Sequence, residues 1–306
     1  MGWKGTIRSY NAAAKRNQRE AIRRKKTELA QQAFDLVQRH EALIESLLTF
    51  HHRVTNPIDW DIDKPIKQKK TCAKEIIAKK KYDNFRPNFL HKLLGNEVIA
   101  KENLRKRIDT AKISDQKDYE DNLRKYEEDL TSWQEFQEKK TSLINRNLKN
   151  IKSIIEEINP FHELAEHGLT VYLIKDQELI IKCKMGSMDF MQFYNAKYMK
   201  SGKVKTVKMG KRNAREHAED VCSSIALKLA RESFNILPIK SLIVSIVTDH
   251  RDKSTGKLIE STIYKAKIKR KELENIEFEY IDPSSCLENF EVLEKMKLDI
   301  VIKEDL

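Results

Sequence analysis

Apolar side chains recur near the start of the chain at Leu29, Ala33, Leu36, Leu43, Leu47, Phe50 and Val54. With His40 filling the gap the steps alternate four and three, the seam by which a helix buries one stripe against another helix. The spacing predicts one helix from Lys4 to about Val54, with a packing half after Leu29 and a solvated half before it. Asn56-Pro57 ends it, because proline disfavours helical geometry in the residue before it. A short extended connector, Pro57–Pro65, follows, then a helix over about Ile66–Tyr82. Phe85-Arg86-Pro87-Asn88-Phe89-Leu90 breaks that helix, and Gly95 closes a short turn. From Glu97 to Ile158 the pattern is helical again. Tyr119, Leu123, Tyr126, Leu130 and Trp133 form a second seam. It falters near Gln137 and Lys140 and resumes at Ile144, Leu148, Ile151, Ile155 and Ile158. Asn159-Pro160 stops it.

After Gly168 the pattern changes to short apolar runs. Leu169–Ile174 and Leu179–Cys183 read as two strands of a hairpin around Lys175-Asp176-Gln177-Glu178. Val204–Lys208 is a weaker strand. Residues 212–236 read as a helix with Ala218, Cys222, Ile225 and Leu229 on one face, closed by Pro238. Leu242–Val247 is a buried strand, Thr255-Gly256 a turn, and Glu260–Lys269 a further strand. The expected fold is α+β: a long N-terminal helical coiled-coil region followed by a small single-sheet head domain. The expected segments are a basic helix with a seam over 1–55, a connector and basic helix over 56–96, a long coiled-coil helix over 97–160, and an α+β domain with an acidic tail over 161–306. The two seams differ in length, 26 residues against 40. The surplus predicts pairing between chains, a homodimer or higher oligomer, since exposed apolar stripes of that size are rare on monomers.

Composition sharpens this picture. The chain has 306 residues, is 35% charged, and holds only 8 Gly and 6 Pro, which suits long helices. Its net charge of +12 comes in blocks. Residues 1–30 carry nine Lys/Arg against two Glu, and residues 64–81 eight Lys against one Glu. Lys15, Arg16, Arg19, Arg23, Arg24, Lys25 and Lys26 make the first block. Lys69, Lys70, Lys79, Lys80 and Lys81 lie in the second. A third holds Lys200, Lys203, Lys205, Lys208, Lys211, Arg212 and Arg215, with no acid between Lys197 and Arg215. From Lys271 the tail turns acidic. Cations at this density suit phosphate backbones, with affinity carried by counterion release. Aromatic residues are sparse in the first two blocks, so sequence-independent contact is expected rather than base readout. The partner expected is nucleic acid, or another anionic surface.

Catalytic motifs are weak beside this. A helix, three strands, a helix and two strands match the element order of the restriction-endonuclease-like core, and Lys182-Cys183-Lys184 resembles its V-x-C-K strand. Such enzymes need an acid two places before the lysine to hold the metal; here that place is Lys182, while Asp176 and Glu178 sit in the turn. Three His/acid groups have ligand spacing: His162, Glu163, Glu166 and His167; Glu216, His217 and Asp220; and Asp249-His250-Arg251-Asp252. P-loop, G-x-S-x-G and H-E-x-x-H motifs are absent. The sequence therefore favours a non-enzymatic chain with no cofactor and no metal, and the metal-dependent nuclease and the purely protein-binding adaptor are the alternatives. Met1-Gly2-Trp3-Lys4-Gly5-Thr6 fits the myristoylation pattern ahead of a basic helix, a two-signal membrane anchor. Four unpaired-looking cysteines, Cys72, Cys183, Cys222 and Cys286, suit a reducing compartment. With no apolar run of 18 residues and no signal-peptide core, a cytoplasmic location is expected.

Arg86–Gly95, Asn159-Pro160-Phe161, Ser201-Gly202-Lys203, Ala230-Arg231-Glu232, Leu237-Pro238, Asp282-Pro283-Ser284 and Asn289-Phe290 together resemble a bacterial family of uncharacterised coiled-coil proteins with a C-terminal α+β domain. The resemblance implies bacterial origin and no particular activity. A scaffold role in a phage-defence or mobile-element complex is the expectation that goes with that context.

Overall fold

The computed structural model describes residues 3–87, 96–186, 188–199, 201–252 and 254–296, and in the first helix side chains from Lys15 onward. The fold is α+β, helices first and a small mixed sheet after them. The chain forms two compact units: residues 1–58 with 143–306, and Asp59–Ser142.

In the first unit, helix α1 (Trp3–Leu48) ends in a single 3-10 turn, Phe50–His52. The sequence seam holds at Ala33, His40, Leu47 and Phe50 and shifts by one position at Leu29 and Leu36. Leu29 and Leu36 are 53% and 57% exposed, while Ala33, Val37 and Leu47 are buried and Ala30, His40 and Ile44 half-buried. The buried stripe therefore steps through 30, 33, 37, 40, 44 and 47. Its N-terminal part meets a β-hairpin of the same chain rather than another helix, and small side chains face that hairpin because it comes close.

That hairpin is β3 (Tyr194–Tyr198) with β4 (Val204–Lys208), a two-stranded sheet of its own. His40 stacks on Tyr194 with ring centroids 4.5 Å apart, and its Nε2 lies 2.8 Å from the Tyr194 carbonyl oxygen. Phe34 meets Tyr198 edge to face at 6.1 Å.

The main sheet runs in the order β1-β2-β5-β6-β7, formed by β1 (Leu169–Lys175), β2 (Leu179–Met185), β5 (Ser241–Arg251), β6 (Leu258–Lys269) and β7 (Glu291–Lys295). Every pair is antiparallel except β2 with β5. That parallel pair needs a crossover, supplied by the hairpin and a 26-residue helix, Lys211–Ile236. Strand alternation sends Leu179, Ile181, Cys183 and Met185 to the buried side, with Val244, Ile246, Ala266 and Ile268 beside them. Lys182, Lys184, Ser245, Lys265 and Lys267 share the other face.

Two breaks in the long helical stretch have local causes. Helix α2 is Ala73–Asp83 and α3 is Glu97–Ile144. The expected continuation to Ile158 stops at Arg146, whose φ is 57°, and Asn147 then caps α4 (Leu148–Ile158) by accepting from the Lys149 and Asn150 N–H groups. A short α5 (His162–Glu166) follows Asn159, which has a left-handed φ of 49°. With Lys211–Ile236 as α6, the remaining helices are α7 (Arg270–Glu274) and α8 (Pro283–Leu287), the latter capped by Asp282.

In the second unit the basic helix expected from Ile66 starts only at Ala73. Residues 59–72 instead lie extended along α3. Trp60 stacks on Phe136 at 4.9 Å, Trp133 Nε1 donates to the Ile62 carbonyl, and Lys70 sits over the Tyr119 ring. About ten extended residues reach roughly 35 Å. The α3 stretch they follow rises about 26–30 Å, so an extended chain can track the second seam where a short helix would not. From Tyr119 to Trp133 that seam is half-buried; at its expected resumption Ile144 is exposed and Leu143 is buried instead.

The segment after α1 is held by buried polar contacts to α6. Phe50 is fully buried. His51 Nδ1 lies 2.8 Å from Ser224 Oγ, Arg231 donates to the His51 carbonyl, Thr55 donates to Glu232, and Ile58 N–H donates to the Asn235 carbonyl. Burial, with the His52 and Arg231 charges beside it, pushes the His51 imidazole from 6.5 down to about 4. A depressed histidine gives stability that is whole above the unfolded value of 6.5 and is lost as pH falls from there towards 4. The expected loss over that window is roughly 3 kcal/mol. Thermal melts between pH 7 and pH 4 should show this slope, and His51→Asn, which keeps an acceptor and cannot take the proton, should flatten it. An equal slope in both proteins would remove His51 as its source.

Candidate polyanion interface

The fold joins two of the three basic blocks. Gly202, at the tip of the β3–β4 hairpin, has φ +77° and sits so close to α1 that a Cβ there would lie 3.3 Å from Ala30 Cβ. Ala30 is one helical turn from Lys26. Lys15–Lys26 and Lys203–Arg212, far apart in sequence, therefore belong to one surface of the first unit. All the side chains from Lys15 to Leu29 are exposed, as are Lys203, Lys205, Lys208, Lys211 and Arg212. Among the described residues Lys15, Arg16, Arg19, Arg23, Arg24, Lys25, Lys26, Lys203, Lys205 and Lys211 make no ion pair, whereas Arg212 is tied to Glu216 at 2.8 Å. Lys200 lies outside the described residues.

Two features of the hairpin and of the helix after it are unfavourable without an anion. Lys197 and Lys205 stand directly opposite each other in the hairpin ladder, on the face opposite the one that carries Tyr194 and Tyr198 to α1, and like charges in that position repel. Lys197 served only to bound the third block in the sequence, and its role is visible only in the register. Helix α6 then opens with Lys211 and Arg212 in its first turn, with no acid there and no side-chain cap, where the helix dipole favours negative charge.

The second block behaves differently. It lies in the second unit, where about half of the lysines over 64–81 have partners, among them Lys70 with Gln116, Lys74 with Asp118, and Lys79 with Glu75 at 2.9 Å. Lys64 lies over Trp133. Lys69, Lys80 and Lys81 are exposed. The strap along α3 thus accounts for several of the cations that composition alone assigns to a polyanion.

The enzymatic candidates resolve individually. On the open sheet face Lys184 Nζ lies 3.0 Å from Asp249 and 3.9 Å from Glu260, and Lys182 Nζ lies 2.6 Å from Glu260. Asp249 and Glu260 are cross-strand partners. The hydrogen bond to Asp249 raises the Lys184 ammonium above its ordinary value. Glu178 pairs with Lys267 and Arg146, which hold its carboxyl below the usual range.

Members of the three His/acid groups take local partners. His162 Nδ1 lies 3.1 Å from the Asn159 carbonyl oxygen, Glu163 bridges Arg53 and Lys228, and His217 Nε2 lies 2.7 Å from the Met191 carbonyl oxygen. Asp252 accepts from the Ser254 and Thr255 N–H groups, and His250 Nδ1 lies 2.9 Å from Ser261 Oγ. Among the described residues no three His, Cys, Asp or Glu side chains are placed to hold a metal. Burial pushes the Cys183 thiol up to about 12 and the Cys286 thiol up to about 11, and raises that of Cys222 as well. Of the myristoylation pattern, Met1 and Gly2 lie outside the described residues, as does Asn88–Gly95 of the family resemblance. No helix among the described residues is long and apolar enough to cross a membrane.

The hairpin contact gives a prediction. Gly202→Val places a β-branched side chain in a left-handed conformation, at about 1–2 kcal/mol, and against Ala30. It should lower the melting temperature and weaken anion binding together, while Gly202→Asn, which tolerates that conformation better, should do less of both. Unchanged binding in a destabilised Gly202→Val protein would separate the hairpin from the interface.

Compared with known proteins, the chain matches no protein-family model, no curated sequence and no solved structure.

Proposed function

We propose that the chain is a scaffold that binds nucleic acid without sequence specificity, through the cationic half of α1 and the β3–β4 hairpin. The supporting observation is the approach of Gly202 to Ala30, which merges two basic blocks into one surface with little internal neutralisation. Side chains that contact phosphates position a protein without reading bases. Fluorescence anisotropy on mixed-sequence DNA and RNA should give micromolar or tighter binding at 50 mM salt, with an affinity that falls steeply as salt rises. Replacing Lys15, Arg16, Arg19, Arg23, Arg24, Lys25 and Lys26 with Gln should abolish it. Retention of full affinity by that variant would overturn the proposal.

Self-association belongs to the same reading. Ile66 and Ile113 in the second unit are 88% and 70% exposed, and pairing of its helices would cover them. Light scattering should then give at least twice the chain mass, and a monomer at micromolar concentration would reject it.

A second reading, a metal-dependent phosphodiesterase, is suggested by Asp249 and Glu260 lying 3.0 and 3.9 Å from Lys184 Nζ. Against it, both carboxylates are neutralised by lysines, and Lys182 stands where an acid is required. Cleavage of labelled DNA or RNA with Mg²⁺ or Mn²⁺, lost in Asp249→Asn, would establish it; no cleavage under either metal would remove it.

A further inference from the structure

The α1 face that is buried from Ala30 to Leu47 continues past the hairpin as an exposed row. Residues 30, 33, 37, 40, 44 and 47 face the rest of the first unit, and stepping back from Ala30 by 4, 3, 4 and 4 gives Lys26, Arg23, Arg19 and Lys15. The cations of that row occupy the same helix face as the packing residues, continued past the hairpin tip. Arg24 and Lys25 turn away from it, each by more than a quarter of the helix circumference. The first unit therefore carries an open notch. One wall is the overhanging cationic face of α1, about 17 Å from Lys15 to Lys26. The floor is the hairpin tip, Gly202 and Lys203, where it meets Ala30.

Resting on the polyanion reading, we propose that this notch seats the backbone of a nucleic-acid duplex, held by Lys15, Arg19, Arg23 and Lys26 along one strand's phosphates. A straight row on a stiff helix matches a stiff partner. Seventeen ångströms spans about five base pairs of duplex and about ten phosphate charges, counting both strands. Single strands are held instead on aromatic platforms. The only exposed large aromatics described beside the notch, Phe34 and Tyr198, are packed edge to face on each other.

The test uses the full chain and two variants that remove equal charge, Arg19→Gln/Arg23→Gln and Arg24→Gln/Lys25→Gln. Anisotropy at about 0.1 M salt is read with 20-base-pair DNA, 20-base-pair RNA and a 20-nucleotide single strand. Each phosphate contact is worth up to about eightfold there. The first variant is expected to weaken duplex binding at least about tenfold and to lower the salt slope by about 1.8. The second should weaken it less than about threefold. Duplex should bind at least about tenfold tighter than single strand, and the DNA and RNA arms assign which duplex is held. Equal losses in the two variants, or single-strand binding as tight as duplex, would overturn the notch while leaving polyanion binding intact. No binding to any of the three would overturn both.

Discussion

Replacing Lys228 with methionine is expected to destabilise the first unit by about 3–5 kcal/mol, because it leaves a buried carboxylate without its cation. Lys228 and Glu232 lie one turn apart on α6 with side chains 3% and 2% exposed. The ammonium also reaches Glu163 at 3.1 Å and donates to the Arg53 carbonyl, and Glu163 takes Arg53 at 2.8 Å. Two cations and two anions are thus balanced, Lys228 and Glu232 out of water and Arg53 at its edge. Losing one cation exposes the desolvation cost of Glu232, which the Thr55 N–H and hydroxyl offset only in part. The charge account has a distinct signature. Lys228→Met combined with Glu232→Met replaces the pair by apolar groups of similar volume and should recover most of the loss, as buried ion pairs often exchange neutrally. Urea melts of the two variants decide it. A double variant as unstable as the single one would assign the loss to packing instead.

This network shows where sequence reading runs out. A lysine four residues before a glutamate on a helix reads as a surface pair, and nothing local tells that Thr55 and Arg53 will lie over it. Chain punctuation was far more legible. Asn159-Pro160 does end a helix, and β1, β2, β4, α6, β5 and β6 fall within a few residues of their expected bounds, whereas α1 stops at Leu48, short of the expected Val54 and well before Pro57. Strands β3 and β7 escaped because Tyr194–Tyr198 and Glu291–Lys295 hold too few apolar residues; both are stabilised by pairing rather than by burial. The α1 stripe is legible at Ala33, His40, Leu47 and Phe50 and departs by one position at Leu29 and Leu36. The close approach of the hairpin puts Ala30 in the stripe and leaves Leu29 and Leu36 outside. For the candidate interface, the cationic blocks are plain in composition. Their convergence is not, since it depends on a contact between residues 30 and 202.

Phe50→Ala should be as damaging as any single change in the first unit, at about 3–5 kcal/mol, and it also tests how α1 is held. Phe50 is fully buried in the turn that ends the helix. It meets His167 edge to face at 5.3 Å and carries Arg53 over its ring at 5.7 Å. Leu47, one turn back, is buried with it. Truncation leaves a cavity bordered by side chains that are already fixed, His51 to Ser224 and Arg53 to Glu163. The site can collapse little, which places the cost at the high end. Because Phe50 anchors the end of α1 while the cationic half lies at the other end, loosening here should free the whole helix from α6 and the hairpin. Hydrogen exchange should then show lost protection over residues 30–52 and over β3–β4 before the main sheet opens. Polyanion affinity should fall although no cation has been removed. Phe50→Leu, which refills most of the volume, should restore both stability and affinity. If Phe50→Ala instead melts the main sheet and α1 in one step, the helix is an integral part of that core. If affinity is unchanged while α1 loses protection, the two basic blocks act independently of each other.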